Sequence, residues 1–178
     1  MKWASPLLCR ALGLVIVVVV ACLRPSAARA YEDQATVGLS LGYANAVFKG
    51  QPAPGAAAIL HGSLGLGDIW SVRAQLGYGF HPDHTPLSVL MAGADLIYTI
   101  DVLEWVPYFG AGIDALSTLR ARAVGAEAGL HAALGLDWLC SRSFGFELEA
   151  RPVFLLTALG RDPVYFTLTL SGLLFLDL

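Results

Sequence analysis

Eight times along this chain, a run of about ten residues alternates apolar with small or polar side chains and then breaks at a turn. The run 70–80 shows it plainly. Trp70, Val72, Ala74, Leu76, Tyr78 and Phe80 share one face; Ser71, Arg73, Gln75, Gly77 and Gly79 share the other. A β-strand has a side-chain period of two, so such a run has one greasy face and one wet face. Few folds accommodate eight of these in succession. In an exported chain the pattern predicts an all-β, eight-stranded antiparallel up-and-down transmembrane barrel, with lipid outside and polar groups inside.

The export signal is expected in residues 1–30. Lys2 and Arg10 mark a charged start, residues 11–21 are apolar, and Ala28-Arg29-Ala30 places small residues ahead of a cleavage point before Tyr31. The apolar run is short of the roughly 20 residues that a membrane helix needs. A rival reading takes Val19-Val20-Ala21-Cys22 as a lipobox with lipid on Cys22, although its usual leading Leu is missing. Cleavage before Tyr31 leaves a barrel domain of residues 31–178. The leader removes four of the eleven basic residues and none of the fourteen acidic ones, so the remainder carries a formal charge of −7. Phosphate binding depends on clustered Lys and Arg, so nucleic acid is not expected as a partner. Cys140 is then the only cysteine, which excludes an intrachain disulfide and a cysteine metal cluster.

The strands read as follows. Residues 36–48 form the first, with Val37, Leu39, Leu41 and Tyr43 outward, and 48–55 are dense in turn formers and read as a loop. The second sets Ala58, Leu60, Leu64 and Leu66 against Ala57, His61, Ser63 and Gly65, before a turn at Gly67-Asp68. The third, 70–80, ends in a loop with Pro82 and Pro86. The fourth, 87–100, is followed by a turn at 101–106 and a fifth strand with Phe109, Ala111, Ile113 and Ala115 outward. After a basic loop at 120–125, strand six alternates without a fault from Ala126 to Trp138. Strand seven, 144–154, contains Pro152, expected near a strand end or a bulge. A loop at 157–163 leads into strand eight, 164–177.

An even number of strands puts both ends of the barrel on one, periplasmic, side. Trp70, Trp105 and Trp138 each fall beside a turn on that side, joined by Tyr98 and Phe144. Trp and Tyr favour the bilayer interface, so these residues are expected to form an interfacial girdle. A soluble lipocalin-like barrel would bury the apolar face instead. The distribution of bulk opposes this: Gly, Ala and Ser crowd the polar face, while Leu, Phe and Trp crowd the other. An eight-stranded lumen has room only for side chains that fill it, so the small residues belong inside.

With this pattern, and with Pro107-Tyr108-Phe109-Gly110-Ala111-Gly112 in strand five, the chain resembles the small eight-stranded outer-membrane β-barrel proteins of Gram-negative bacteria. The resemblance extends over essentially all of residues 31–178. Gly172 and Phe175 fit the usual C-terminal assembly signal, whereas Asp177 and a final Leu178 in place of an aromatic residue depart from it. The resemblance implies an outer-membrane location, with outer-membrane lipids, lipopolysaccharide and the barrel-insertion machinery as partners. It implies no cofactor, and it leaves activity and oligomeric state open.

The inward face is expected to hold Arg73 and Arg151 against Asp95, Asp114, Glu127, Asp137, Glu147 and Glu149, with His131 among them. Counting from the loops places Arg73 beside Asp95, Arg151 beside His131, and Asp137 beside Glu147. The excess of acid implies trapped water, protonated carboxylates or cations in the lumen. The favoured reading is a salt-bridged filling that holds the barrel shut. The alternative is a narrow cation-preferring channel.

Two further motifs carry residue types suited to chemistry. His61-Gly62-Ser63 superficially resembles the His-x-Ser pairing of lipid A deacylases, and an i, i+2 pair on one strand face brings a hydroxyl and its base within reach. Both side chains are expected to face the lumen, away from lipid substrate. His81-Pro82-Asp83-His84 gathers two imidazoles and a carboxylate in a solvated loop, with no fourth metal ligand nearby. The outer loops are short, whereas adhesins and receptors of this architecture build their sites from long ones. The expectation is therefore a structural or envelope-related barrel, with no catalytic or metal site.

Overall fold

A computed structural model describes residues 34–48, 51–82, 87–100, 105–120, 123–158 and 164–177. Eight strands follow in order: β1 (Gln34–Phe48), β2 (Gln51–Gly65), β3 (Trp70–His81), β4 (Leu87–Thr99), β5 (Trp105–Arg120), β6 (Ala123–Leu139), β7 (Phe144–Leu155) and β8 (Val164–Asp177). Each pairs antiparallel with the next, and β8 pairs with β1, so the sheet closes into a barrel. A single 3-10 turn, Leu156–Ala158, follows β7. The leader, with Cys22 and the cleavage point, lies outside the described residues, as do Asp83, His84 and residues 101–104 and 159–163.

Closure carries a stagger. In-register partners lead from Thr36 through Ser63, Arg73, Asp95, Gly112, His131, Val153 and Tyr165 back to β1 at Ala46, ten residues beyond the start. Such a stagger goes with strands inclined by roughly 35–45° to the barrel axis and an interior just wide enough for side chains to fill. Both ends of the barrel chain lie at one rim, here the lower, with the β2–β3 and β6–β7 turns. The β1–β2 and β5–β6 hairpins stand at the upper rim.

The alternation places the faces as expected. Leu76 and Ile113 are each 64% exposed, while Arg151 is 1% exposed. A greasy exterior around a charged interior inverts the arrangement of a water-soluble protein.

Several boundaries differ from the sequence reading. Residues 51–55 belong to β2 rather than to a loop, and Phe48 pairs with Gln51. β3 first meets β2 at Ala56, so Pro52 and Pro54 lie where β2 has β1 as its only neighbour. That stretch is an edge, the setting in which a sheet tolerates proline. The expected loop at 120–125 is likewise reduced, because Arg120 pairs with Ala123. β5 begins at Trp105, inside the expected 101–106 turn. His81 is the buried last residue of β3, not part of a solvated loop.

Pro152 lies three residues before the end of β7, and no bulge accompanies it. The β6–β7 ladder breaks between His131↔Val153 and Leu134↔Ala150 and resumes in the same register, while Pro152 keeps its pairing with Phe166 of β8. A proline has no N–H to donate, and the ladder is interrupted at that point.

Candidate functional site

The lumen gathers the polar chemistry of this chain, and its filling follows a large-against-small rule set by register. His61 stands opposite Gly38, Met91 opposite Gly77, Asp114 opposite Gly93 and Tyr108 opposite Gly135. A Cβ added at any of these four glycines would collide with the facing side chain. The glycines of the inner face are thus the space into which the large interior side chains lie.

At mid-height the charged residues form one connected layer. Arg73 Nη2 lies 2.7 Å from Asp95 Oδ2, and the same nitrogen also bonds Glu149. Its Nη1 donates to Glu147 Oε2 at 3.3 Å and to the Tyr108 hydroxyl at 3.4 Å. Arg151 donates to Glu149 Oε1 at 2.9 Å, to Asp95 Oδ2 at 3.0 Å and to His131 Nε2 at 3.2 Å. If His131 Nε2 accepts from Arg151, its proton sits on Nδ1, which is 2.8 Å from Asp114 Oδ2. Gln75 donates to the other oxygen of Asp114 at 3.1 Å, and Tyr108 donates to Glu149 at 2.7 Å. Two guanidinium groups therefore bind three carboxylates directly, in a space where a charge without a partner is costly.

The expected pairs are placed as follows. Arg73 and Asp95 are in register, as are Asp137 and Glu147. Arg151 is not opposite His131, whose register partner is Val153, yet the two side chains meet diagonally. Glu127 stands apart from the layer. It lies near the upper rim, where Thr157 of the 3-10 turn donates to its carboxylate and accepts from the Ala128 N–H at 3.0 Å. Asp137 lies low in the barrel and lines, with Thr36, Ser63, Ser71, Thr99 and Glu147, a polar cavity of about 30 Å³. That volume suits roughly two water molecules.

Tyr108, Gln75, Ser40 and Ser171 also belong to the layer and were absent from the expected set. Ser171 donates to Glu147 at 2.8 Å, and its oxygen lies 2.8 Å from Ser40 Oγ, which can donate to it. Their parity with Asp114, Arg73 and Thr169 was the available signal. His61 Nδ1 lies 3.4 Å from Ser40 Oγ and its Nε2 lies 3.9 Å from Glu147, so the ring engages Ser40 rather than the Ser63 of the His-x-Ser motif.

A second layer was not expected at all. Above the charged residues, the inward side chains of Ile59, Val89, Met91, Leu116, Val153 and Leu155 form one apolar cluster that occupies the upper half of the lumen. The sequence pattern points to a small and polar interior, with Met91 on the inner face, but not to an apolar layer. The structure places an apolar layer above the ionic one, with Ile97, Val106, Leu173 and Phe175 as further buried apolar side chains lower in the barrel.

Outside, aromatic rings form a chain along the lower rim. Trp70 meets Tyr98 edge-on at 5.0 Å, and Tyr98 meets Phe109 at 5.0 Å. Trp105 stacks on Trp138 at 5.3 Å, and Phe146 and Phe144 continue the series. Cross-strand register explains it, since Trp70↔Tyr98, Tyr98↔Phe109, Trp105↔Trp138 and Trp138↔Phe146 are direct partners. Among the described residues, no group of three or more His, Cys, Asp and Glu side chains is arranged to hold a metal ion.

No protein-family model matches this chain, and no curated protein matches it. Solved structures do. Neisserial surface protein A aligns at 15% identity with a TM-score of 0.67, over 81% of this chain and 97% of that one. Ail, the attachment invasion locus protein of Yersinia pestis, solved with the heparin analogue sucrose octasulfate, aligns at 11% identity with a TM-score of 0.63, over 82% and 99%. The outer membrane protein OprG from Pseudomonas aeruginosa aligns at 13% identity with a TM-score of 0.56, over 82% and 99%. Identity this low speaks for the fold alone: the chain has the fold of the small eight-stranded outer-membrane β-barrels.

Proposed function

We propose that this protein is an integral outer-membrane barrel with a structural, envelope-related role and a sealed lumen. The observation that carries the reading is the exterior. Among the described residues, no Asp, Glu, Lys, Arg or His occupies an outward position on any of the eight strands. Trp70 at the lower rim and Phe80 at the upper are ten residues apart on β3. At roughly 3.3 Å per residue, and with strands inclined by roughly 45°, that spacing covers about 25 Å, the height of the apolar band of an outer-membrane barrel. The aromatic chain at the lower rim then lies at the periplasmic interface. Outer-membrane lipids and lipopolysaccharide are the partners this surface fits, with the insertion machinery acting during assembly.

The sealed interior supports a structural role over a channel. An ion crossing the lumen meets the interlocked ionic layer and then the apolar layer of Ile59, Met91 and Leu116. Purified protein in planar bilayers is expected to pass no current. Reproducible cation-selective steps would overturn the sealed reading and favour the channel.

A further inference from the structure

We propose that His81 is a pH-operated latch: neutral, it fastens the upper end of β3 to β2 at the lumen mouth, and protonated, it lets go. The ring is wholly buried although it belongs to the last residue of β3 and precedes exposed Pro82. Its Nδ1 lies 2.7 Å from the carbonyl oxygen of Ala53 on β2. A carbonyl can only accept, so Nδ1 carries the proton and Nε2 holds the lone pair of the neutral ring. Among the described residues that Nε2 has no hydrogen-bond partner.

Among the described residues, the surroundings offer a positive charge on the ring no carboxylate to pair with. β2 contributes the Ala53 carbonyl and Gly55, whose missing side chain leaves room for the ring. β4 places Leu87 in register with His81, and β3 itself contributes Gly79. β8 contributes Tyr165, whose ring meets the imidazole edge-on at 5.7 Å. Among the described residues Tyr165 is the one titratable group facing the ring, and a phenol carries no charge to answer an imidazolium. Glu127, also near the upper rim, is engaged by Thr157. The nearest position of the ionic layer on β7, Arg151, lies two residues below Val153, the register partner of Tyr165. Asp83 and His84 lie outside the described residues.

A proton arriving in acid can bind only at Nε2. It creates a charge for which the described residues around the ring supply no carboxylate, and burial without a partner does not stabilise it. Its simplest route to water is outward, since His81 is the terminal strand residue, and that movement breaks the bond to Ala53. Acid is therefore expected to loosen the ends of β3 and β2 at the lumen mouth while the rest of the barrel stays closed.

The test is hydrogen exchange on the full chain folded in lipid nanodiscs, at pH 7.5 and pH 5.0, corrected for intrinsic exchange. Peptides spanning residues 76–82 and 51–57 should lose protection at least tenfold in acid, while β6 does not change. In His81→Phe the same peptides should keep equal protection at both pH values. Unchanged protection in the native chain, or an equal loss in His81→Phe, overturns the latch. Should His81→Phe fail to fold, the ¹⁵N shifts of the native His81 ring decide the matter. Protonation must follow the loss of protection with the same midpoint, and a ring still neutral at pH 5.0 contradicts the proposal.

Discussion

Arg73 on β3 and Asp95 on β4 stand in register across the lumen wall, with Nη2 2.7 Å from Oδ2, and Arg73 reaches from there to Glu147 and Glu149 on β7. One guanidinium thereby ties the β3–β4 pair to the opposite side of the barrel. Arg151 returns the link from β7 to Asp95. The two arginines act as crossbars through the centre of the barrel, joined at this height by Tyr108 of β5, which donates to Glu149.

Removing a crossbar leaves buried carboxylates facing each other. Arg73→Met is expected to destabilise the barrel by about 3–5 kcal/mol, the usual cost of breaking a buried ion pair from one side. The midpoint of urea unfolding in lipid vesicles, followed by tryptophan fluorescence, should fall accordingly. A midpoint equal to that of the native protein would mean the layer is not a structural tie.

Tyr108→Phe is a gentler probe of the same layer. It keeps the ring lying across Gly135 and deletes the hydroxyl that donates to Glu149 at 2.7 Å. The expected loss is about 1.5–3 kcal/mol, the scale of a hydrogen bond to a charged group. The barrel should still form, and the same urea titration measures the change.

The large-against-small rule predicts a sharp contrast between two glycines. A side chain at Gly135 would occupy the space of the Tyr108 ring, whereas a Cβ at outward Gly172 meets only Phe144, at an ordinary 3.8 Å. Gly135→Leu should abolish the compact, heat-sensitive gel species and Gly172→Ala should retain it. Equal behaviour of the two variants would break the rule.

Much of this was legible in the sequence, for a physical reason. The period-two alternation assigns every strand residue to a face, so the positions of Arg73, Asp95, Glu147, Glu149 and Arg151 followed from parity alone. The Arg73–Asp95 pairing followed as well, because the connection between β3 and β4 is short. Strand ends were harder to read. Pro52, Pro54 and Gly55 are strong turn signals, and only the absence of β3 at that height lets them continue β2. Pro152 depended on a ladder interruption that leaves no mark in the sequence. The apolar upper layer was hidden differently: Ile59, Val89, Met91 and Leu116 have inward parity, but an apolar residue on the polar face reads as noise until closure stacks several at one level.

Lipid exposure is tested by where a charge is tolerated. Ile113 is 64% exposed midway along β5, and Ile100 lies beyond the end of β4 at the lower rim. Ile113→Arg is expected to cost about 2–4 kcal/mol and Ile100→Arg no more than about 1 kcal/mol, following the depth dependence of charge on a barrel exterior. Comparative unfolding of the two variants in vesicles gives both values. In a barrel whose exterior met water, both substitutions would be close to neutral.

The most direct measurement of the membrane barrel itself is gel migration of the protein from outer-membrane fractions washed with alkali, with and without boiling. The account predicts a species that stays with the membrane through the wash, runs compactly when unheated and shifts on boiling. Release into the soluble fraction would contradict it, because a closed barrel with this apolar exterior would then have no lipid to face.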